Sequence, residues 1–412
     1  MAYEGGTTRE AFARFVREAL TPALHTSRGT QKQAIKINPI WERSRVTIPS
    51  IVGEALPALE QRLVAAHVGD YARVARELYR AVHARGALSL EQVRVSKVAR
   101  AQLAEVVTLA RPRIVRDQTS RDGTRKWLIA LADDNLIESV YIPDDDPAGV
   151  SDVGRGAICI SSQIGCTMRC AFCHTGTQPI VRNLTAAEIA AQVVLARDAM
   201  GDFTPGNRGR AVASVVLMGM GEPLMNYDAV ISAIAVITDA QGLAISKRRI
   251  TLSTSGIVPA IDALGVDTDV NLAISLHATT DTVRNELVPI NAKWNIASLL
   301  AACRRYPATN ARRILFEYVM LDGVNDSDAD AHRLAELLRG IHAKVNLIPF
   351  NPWPGTLFST SKHERVASFA GILMAAGLPS PVRSPRGRDI AAACGQLKSE
   401  SVRVRADPRV CP

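Results

Sequence analysis

From about residue 157 onward the chain alternates short apolar, β-branched runs with longer amphipathic stretches, and that alternation limits the possible folds more than any other feature. AICISS, AVASVVLMG, RRITLSTSG, NLAISLHA, RRILFEYVML and AKVNLIPFN read as strands. A helical pattern follows each of them. The first is opened by Thr185 with Glu188 as its capping-box partner, the second is NYDAVISAIAVITDA opened by Asn226, and the third is VPAIDALG. Two stretches before Tyr306, then DSDADAHRLAELLRG, then a helix from about Lys362 to Ala376 complete the series. Six β–α units imply a parallel sheet with helices on one face, an α/β fold curled into a full or partial (β/α)6 barrel. In such barrels ligands and reactive groups gather at the carboxyl ends of the strands.

The part preceding the barrel reads differently. Residues 1–50 mix Gly, Thr, Pro and charge with little periodicity and read as a loosely held basic extension. Residues 51–112 turn helical, with Tyr71, Val74, Leu78 and Val82 on one face, Gly86 ending that helix, and a Ser89–Gln92 capping box opening the next. Residues 113–150 form a meander: IVRDQTS, an Asp122-Gly123 turn, TRKWLIAL, an Asp133-Asp134-Asn135 turn, and LIESVYI. Alternation in the last of these strands places Glu138 on a face with Leu136, Val140 and Ile142, either as a carboxylate reaching water or a lysine, or as a buried acid or base turned toward a site. An acidic, glycine-rich loop, Pro143 to Gly156, joins meander to barrel.

Charge narrows the class of partner. The net charge is +9, and both ends carry an excess of four: eight Lys/Arg against four Asp/Glu in residues 1–50, seven against three in residues 381–412. Such a balance suits a polyanion such as RNA. No run of 18 apolar residues exists and the N-terminus lacks a secretory core, so a cytoplasmic protein with no membrane partner is expected. Seven cysteines, an odd number, argue against a disulfide framework and for metal or redox chemistry.

Three of them, Cys166, Cys170 and Cys173, fall within eight residues on the loop that leaves the first barrel strand. Gly165 and Gly176 permit the irregular backbone that such a wrap requires. With His174, the thiols match a tetrahedral Cys3His zinc site; alone, they match a [4Fe-4S] cluster with one iron left open. Buried cysteines serving as small apolar residues have no reason to cluster this way. The spacing alone leaves zinc and iron–sulfur open.

The other strand ends carry Gly219-Met220-Gly221-Glu222-Pro223, Ser253-Thr254-Ser255-Gly256, Ser275-Leu276-His277 and Asn351-Pro352-Trp353, polar or glycine-bearing residues where a plain barrel needs only turns. With CTMRCAFC, GMGEPLMN, TLSTSG, ISLHA, NLIPFNPWPG and the terminal GRDIAAACGQL in this order, the chain from about residue 89 to 398 resembles the radical S-adenosylmethionine (SAM) rRNA adenine C2-methyltransferases, the RlmN family, whose C8-methylating relatives are the Cfr enzymes.

That resemblance implies a set of roles. Cys166, Cys170 and Cys173 would ligate a [4Fe-4S] cluster, and Gly221, Glu222, Ser253, Ser275, Leu276, His277 and Asn351 would hold SAM. Cys394 would carry a methyl group, Cys159 would resolve it through a transient disulfide, and Glu138 would accept a proton. The implied reaction uses two SAM molecules, an S-methylcysteine intermediate and a 5'-deoxyadenosyl radical to methylate C2 of adenine 2503 in 23S rRNA, and adenine 37 of some tRNAs, with an electron donor such as flavodoxin. The alternatives are C8 methylation of the same rRNA adenine and a zinc-containing RNA-binding protein without catalysis. The expected divisions are the extension (1–50), a helical accessory, RNA-binding domain (51–112), the meander and acidic loop (113–150), a radical SAM core (151–385) and a C-terminal segment bearing the methyl-carrying cysteine (386–412). Residues 1–50 match nothing in the family pattern, and the 143–156 loop is longer than usual for it. Cys303 and Cys411 match no functional position. The scheme makes a geometric demand: the first barrel strand and the C-terminal segment must meet.

Overall fold

The computed structural model describes residues 48–144, 155–203, 211–307, 313–399 and 401; the basic extension, most of the acidic loop and Cys411 lie outside the described residues. Pro49–Pro412 forms one compact unit. Its strands are β1 (Arg113–Thr119), β2 (Arg125–Ala130), β3 (Leu136–Pro143), β4 (Gly156–Cys159), the short β5 (Gln163–Ile164) and β6 (Arg182–Asn183), β7 (Val212–Leu217), β8 (Ile250–Thr254), β9 (Asn271–Ser275), β10 (Ile314–Met320) and β11 (Ala343–Pro349).

All but β5 and β6 join one sheet in the order β1-β2-β3-β4-β7-β8-β9-β10-β11. The six strands from β4 to β11 run parallel, and β1 to β4 pair antiparallel. The barrel is partial: β11 does not return to β4, and β4 pairs instead with the meander. The expected six-unit open barrel with a meander extension is therefore the observed architecture.

Helix Ala186–Ala199 explains how the N-terminal helices attach. Its Thr185–Glu188 capping box is formed, and every residue from Ile189 to Arg197 is buried, so it is covered on more than its sheet-facing side. Gly53 lies so close to it that a Cβ there would sit 2.1 Å from the Ala187 carbonyl oxygen. Helices Leu56–Ala65, Tyr71–His83 and Lys97–Val106 make up the rest of the helical region.

Three local expectations are corrected. Val74, Leu78 and Val82 are buried as the periodicity predicts, but Tyr71 is 43% exposed, because the first turn of its helix overhangs the packed surface. The Ser89–Gln92 capping box is present yet opens only the 3-10 turn Leu90–Gln92; the next α-helix is capped by Ser96. Asn226 precedes helix Tyr227–Thr238 without capping it, since its side-chain amide donates to the carbonyls of Ser162 and Leu184 and ties the strand-end loops together.

Candidate active site

The parallel strands deliver their loops to one cavity of about 160 Å³. Cys166, Cys170 and Cys173 line it, with Gly221, Glu222, Ser253, Ser275, His277, Asn351 and Cys394. Most of the residues singled out in the sequence thus share one wall-to-wall space at the end of the barrel where the strands terminate.

The cysteine loop is staked down by backbone contacts. Gly165 at φ +77° passes within 2.2 Å, measured from a hypothetical Cβ, of the Pro179 carbonyl oxygen, so only glycine fits there. Ala171 N–H donates to Leu287 O (3.0 Å), and Trp353 Nε1 donates to Phe172 O (3.0 Å). His277 holds the same loop through Phe172, edge to face at 4.7 Å, and itself adopts the left-handed region (φ +57°), a strained conformation fixed by its neighbours. Its Nδ1 accepts from Val319 N–H (3.1 Å), and burial pulls its pKa down to about 3, so the ring is neutral.

His174 is committed elsewhere. Its ring stacks on Trp353 at 4.8 Å, and its Nδ1 lies 3.2 Å from the Gln396 carbonyl oxygen. Among the described residues no three His, Cys, Asp or Glu side chains gather around a single-ion position. The three thiols line one cavity and supply the donor type that iron–sulfur clusters take. Burial pushes the Cys166 thiol up to about 12 and raises Cys170 and Cys173 as well, so bare thiols here keep their protons. Positive charge from an iron–sulfur cluster would offset that cost and let all three bind as thiolates.

Polar residues of the same cavity fit a zwitterion. Glu222 accepts from Ser255 N–H (2.7 Å), Ser255 Oγ (2.8 Å) and Leu224 N–H (3.1 Å), which fix its carboxylate at the cavity edge, while burial pushes its pKa upward. Asn351 Oδ1 is buried with no hydrogen-bond partner among the described residues, although its Nδ2 donates to Cys394 O (3.3 Å). A buried acceptor left open beside a ligand space fits an ammonium donor such as that of SAM. Ser253 and Ser275 Oγ atoms lie 3.4 Å apart on adjacent strands. Beneath β8 and β9, buried Arg284 donates to the carbonyls of Leu276 (3.0 Å), Ser255 (2.7 Å) and Ser275 (3.0 Å), and to Asn291 Oδ1 (2.8 Å).

Three sequence-predicted residues stand off the cavity wall. Leu276 is fully buried behind it. Cys159, at the end of β4, is buried, and burial above all pushes its thiol up to about 12. Glu138 is buried and engaged on both oxygens, by Lys126 Nζ (3.0 Å) and by Lys398 N–H (2.9 Å). Both sequence readings of Glu138 thus contain part of the answer: it is a buried acid, and it has a lysine.

Two charged cavity residues escaped the sequence reading. Glu317 on β10 sits in register between Ser275 and Asn346, accepts from Asn346 Nδ2 (3.1 Å), and leaves Oε2 buried without a hydrogen-bond partner among the described residues. Arg383 lines the cavity alongside Cys394. A lone glutamate inside the apolar run ILFEYVML was the available signal for the first; nothing local marks the second.

Relatives with known names agree with this geometry. The family model described as Radical SAM superfamily matches residues 160–335. The chain is 54% identical over 380 residues to the dual-specificity RNA methyltransferase RlmN of Methylorubrum extorquens (strain PA1), covering 88% of each. To the protein of the same name from Caulobacter vibrioides (strain NA1000 / CB15N) it is 53% identical over 371 residues, covering 89% of each. A solved radical SAM methyltransferase from Sphaerobacter thermophilus superposes with a TM-score of 0.77 at 42% identity, over 84% of this chain and 98% of that one. With this identity along nearly its whole described length and a cysteine-lined cavity at the strand ends, the chain belongs to the RlmN family of radical SAM methyltransferases.

Proposed function

We propose that this protein methylates C2 of adenine 2503 in 23S rRNA, and adenine 37 of tRNAs, with Cys394 as the methyl carrier. The observation that carries the reading is the placement of Cys394 on the wall of the cavity that Cys166, Cys170 and Cys173 also line. The dual-specificity name of the relatives supports RNA of both kinds as substrate.

C2 of adenine lies between two ring nitrogens and is too electron-poor to attack the methyl of SAM. A thiolate does attack it, so Cys394 takes the methyl first. Cys166, Cys170 and Cys173 would hold the [4Fe-4S] cluster, whose chemistry when bound would be one-electron reductive cleavage of a second SAM. Gly221, Glu222, Ser253, Ser275, His277 and Asn351 bind and orient SAM, with Leu276 shaping the wall behind them. Bonding the Cys394 methyl carbon to C2 would require that carbon to lose one hydrogen atom, taken by the 5'-deoxyadenosyl radical of the second SAM to give 5'-deoxyadenosine, and the adduct to return the one electron spent on that cleavage. Glu138 then takes the C2 proton, and the Cys159 thiolate attacks the Cys394 sulfur, breaking its bond to the carbon, which takes up a proton to become the new methyl and leaves a disulfide. The helical region 51–112 contributes RNA contacts, a flavodoxin-type protein supplies electrons, and the reaction takes place in the cytoplasm. Among the described residues no helix is long and apolar enough to cross a membrane.

Mass spectrometry of rRNA and tRNA fragments from cells lacking the gene tests the reading. Loss of 2-methyladenosine at these positions, restored by the gene, is the expected result. Unchanged C2 methylation, or loss of 8-methyladenosine instead, defeats it.

A further inference from the structure

The meander does more than extend the sheet: its strands hold the C-terminal segment along one face. Asp122 Oδ2 accepts from Gly387 N–H (2.8 Å), Ser120 Oγ donates to Asp389 Oδ1 (2.5 Å), and Leu136 N–H donates to Ser401 Oγ (2.6 Å). Between these outer ties lies a buried ion pair. Lys126 on β2 and Glu138 on β3 are diagonal cross-strand neighbours, since Lys126 pairs with Val140 and Leu128 with Glu138, and Nζ meets Oε1 at 3.0 Å.

Each partner also holds backbone. Lys126 Nζ donates to Ala391 O (3.2 Å), and Glu138 Oε2 accepts from Lys398 N–H (2.9 Å). These contacts fall three residues before and four after Cys394. Ala391 is held at φ +50°, a conformation costly for a residue with a Cβ, which persists only where the surroundings impose it. Between the two grips Cys394 lines the cavity.

We propose that Lys126 is a positioning residue for Cys394: the Lys126–Glu138 pair grips the C-terminal segment on both sides of that cysteine and sets where its sulfur lies in the cavity. The inference rests on Cys394 as methyl carrier. It gives Glu138 a task before any proton transfer, because the grip is needed when the methyl is first loaded. An apolar pair of similar volume could fill the same space, but it could not engage Ala391 O or Lys398 N–H.

The test uses the full chain carrying its cluster, incubated with SAM, with S-methylation of Cys394 followed by peptide mass spectrometry. K126M and the double variant K126M/E138L should load the methyl about a hundredfold more slowly, the scale expected of a reacting atom displaced by about an ångström. Iron content and SAM affinity should stay at wild-type values in both. K126R, which keeps a donor for both partners, should restore most of the rate. E138Q keeps a single acceptor oxygen and sets its amide N–H2 against the other donor, so it should loosen one of the two grips and load the methyl at a rate between wild type and K126M/E138L. A merely structural role would lower iron content and SAM affinity together with loading. Wild-type loading by K126M/E138L, which retains a filled core even where K126M does not fold, overturns the positioning role. A wild-type chain that never loads a methyl overturns the carrier assignment itself.

Discussion

Replacing Arg284 with Met tests whether the strand ends proposed to hold SAM are organised by one buried guanidinium. Arg284 is fully buried, and burial pulls its pKa down only to about 10, so it remains charged at neutral pH. It donates to three backbone carbonyls at the ends of β8 and β9 and to Asn291 Oδ1. Methionine fills much of the volume but satisfies none of these four acceptors. Each hydrogen bond from a charged donor contributes roughly 1.5–3 kcal/mol net, and removing the buried charge returns part of the total by ending its desolvation, which leaves a loss of about 4 kcal/mol. Pro49–Pro412 should unfold with an entropy of about 0.8 kcal/mol per kelvin, so the unfolding temperature should fall by about 5 °C. Scanning calorimetry measures this, and equilibrium dialysis should show weakened SAM binding, because Ser255 O and Ser275 O are the atoms left unpaired. A shift below about 1 °C with unchanged SAM affinity would refute the claim that Arg284 organises these strand ends.

His83 offers a pH-dependent counterpart: its Nε2 accepts from Gly53 N–H (3.0 Å), and burial lowers its pKa from 6.5 to about 4. The fold holds it neutral while the unfolded chain takes up a proton, so its stability contribution is complete above pH 6.5 and is lost as pH falls from 6.5 to 4, by about 3 kcal/mol in all. Denaturant titrations at both pH values should show that loss, and His83→Gln should remove it; equal slopes in both proteins would refute it. Gly221→Ala places a Cβ 2.5 Å from Gln163 Cβ on a backbone at φ +100°, and should weaken SAM binding by about tenfold or more; unaltered affinity would show that this turn does not shape the site. Cys394→Ala should abolish RNA methylation while leaving reductive cleavage of SAM, and any methylated product would remove its carrier role. Cys159→Ala should accumulate a covalent protein–RNA adduct visible on denaturing gels, and free turnover would end its assignment.

Features set by near neighbours along the chain were legible in the residues themselves. Short apolar, β-branched runs and capping boxes such as Thr185–Glu188 marked six β–α units, because a strand's composition and a helix's first turn are set within a few residues. The Cys166–Cys173 spacing and the strand-end glycines located the reactive rim for the same reason. Tertiary structure alone decided what lies on the other side of each side chain. Tyr71 has the right period yet faces out, Asn226 sits at a helix start yet binds Ser162 and Leu184, and His174 follows three thiols yet stacks on Trp353. Glu138 was visible as a carboxylate in an apolar strand, but its Lys126 partner and its hold on Lys398 arise only when the meander meets the chain's end. Burial and charge pairing are properties of surroundings assembled from distant segments, and no local pattern records them.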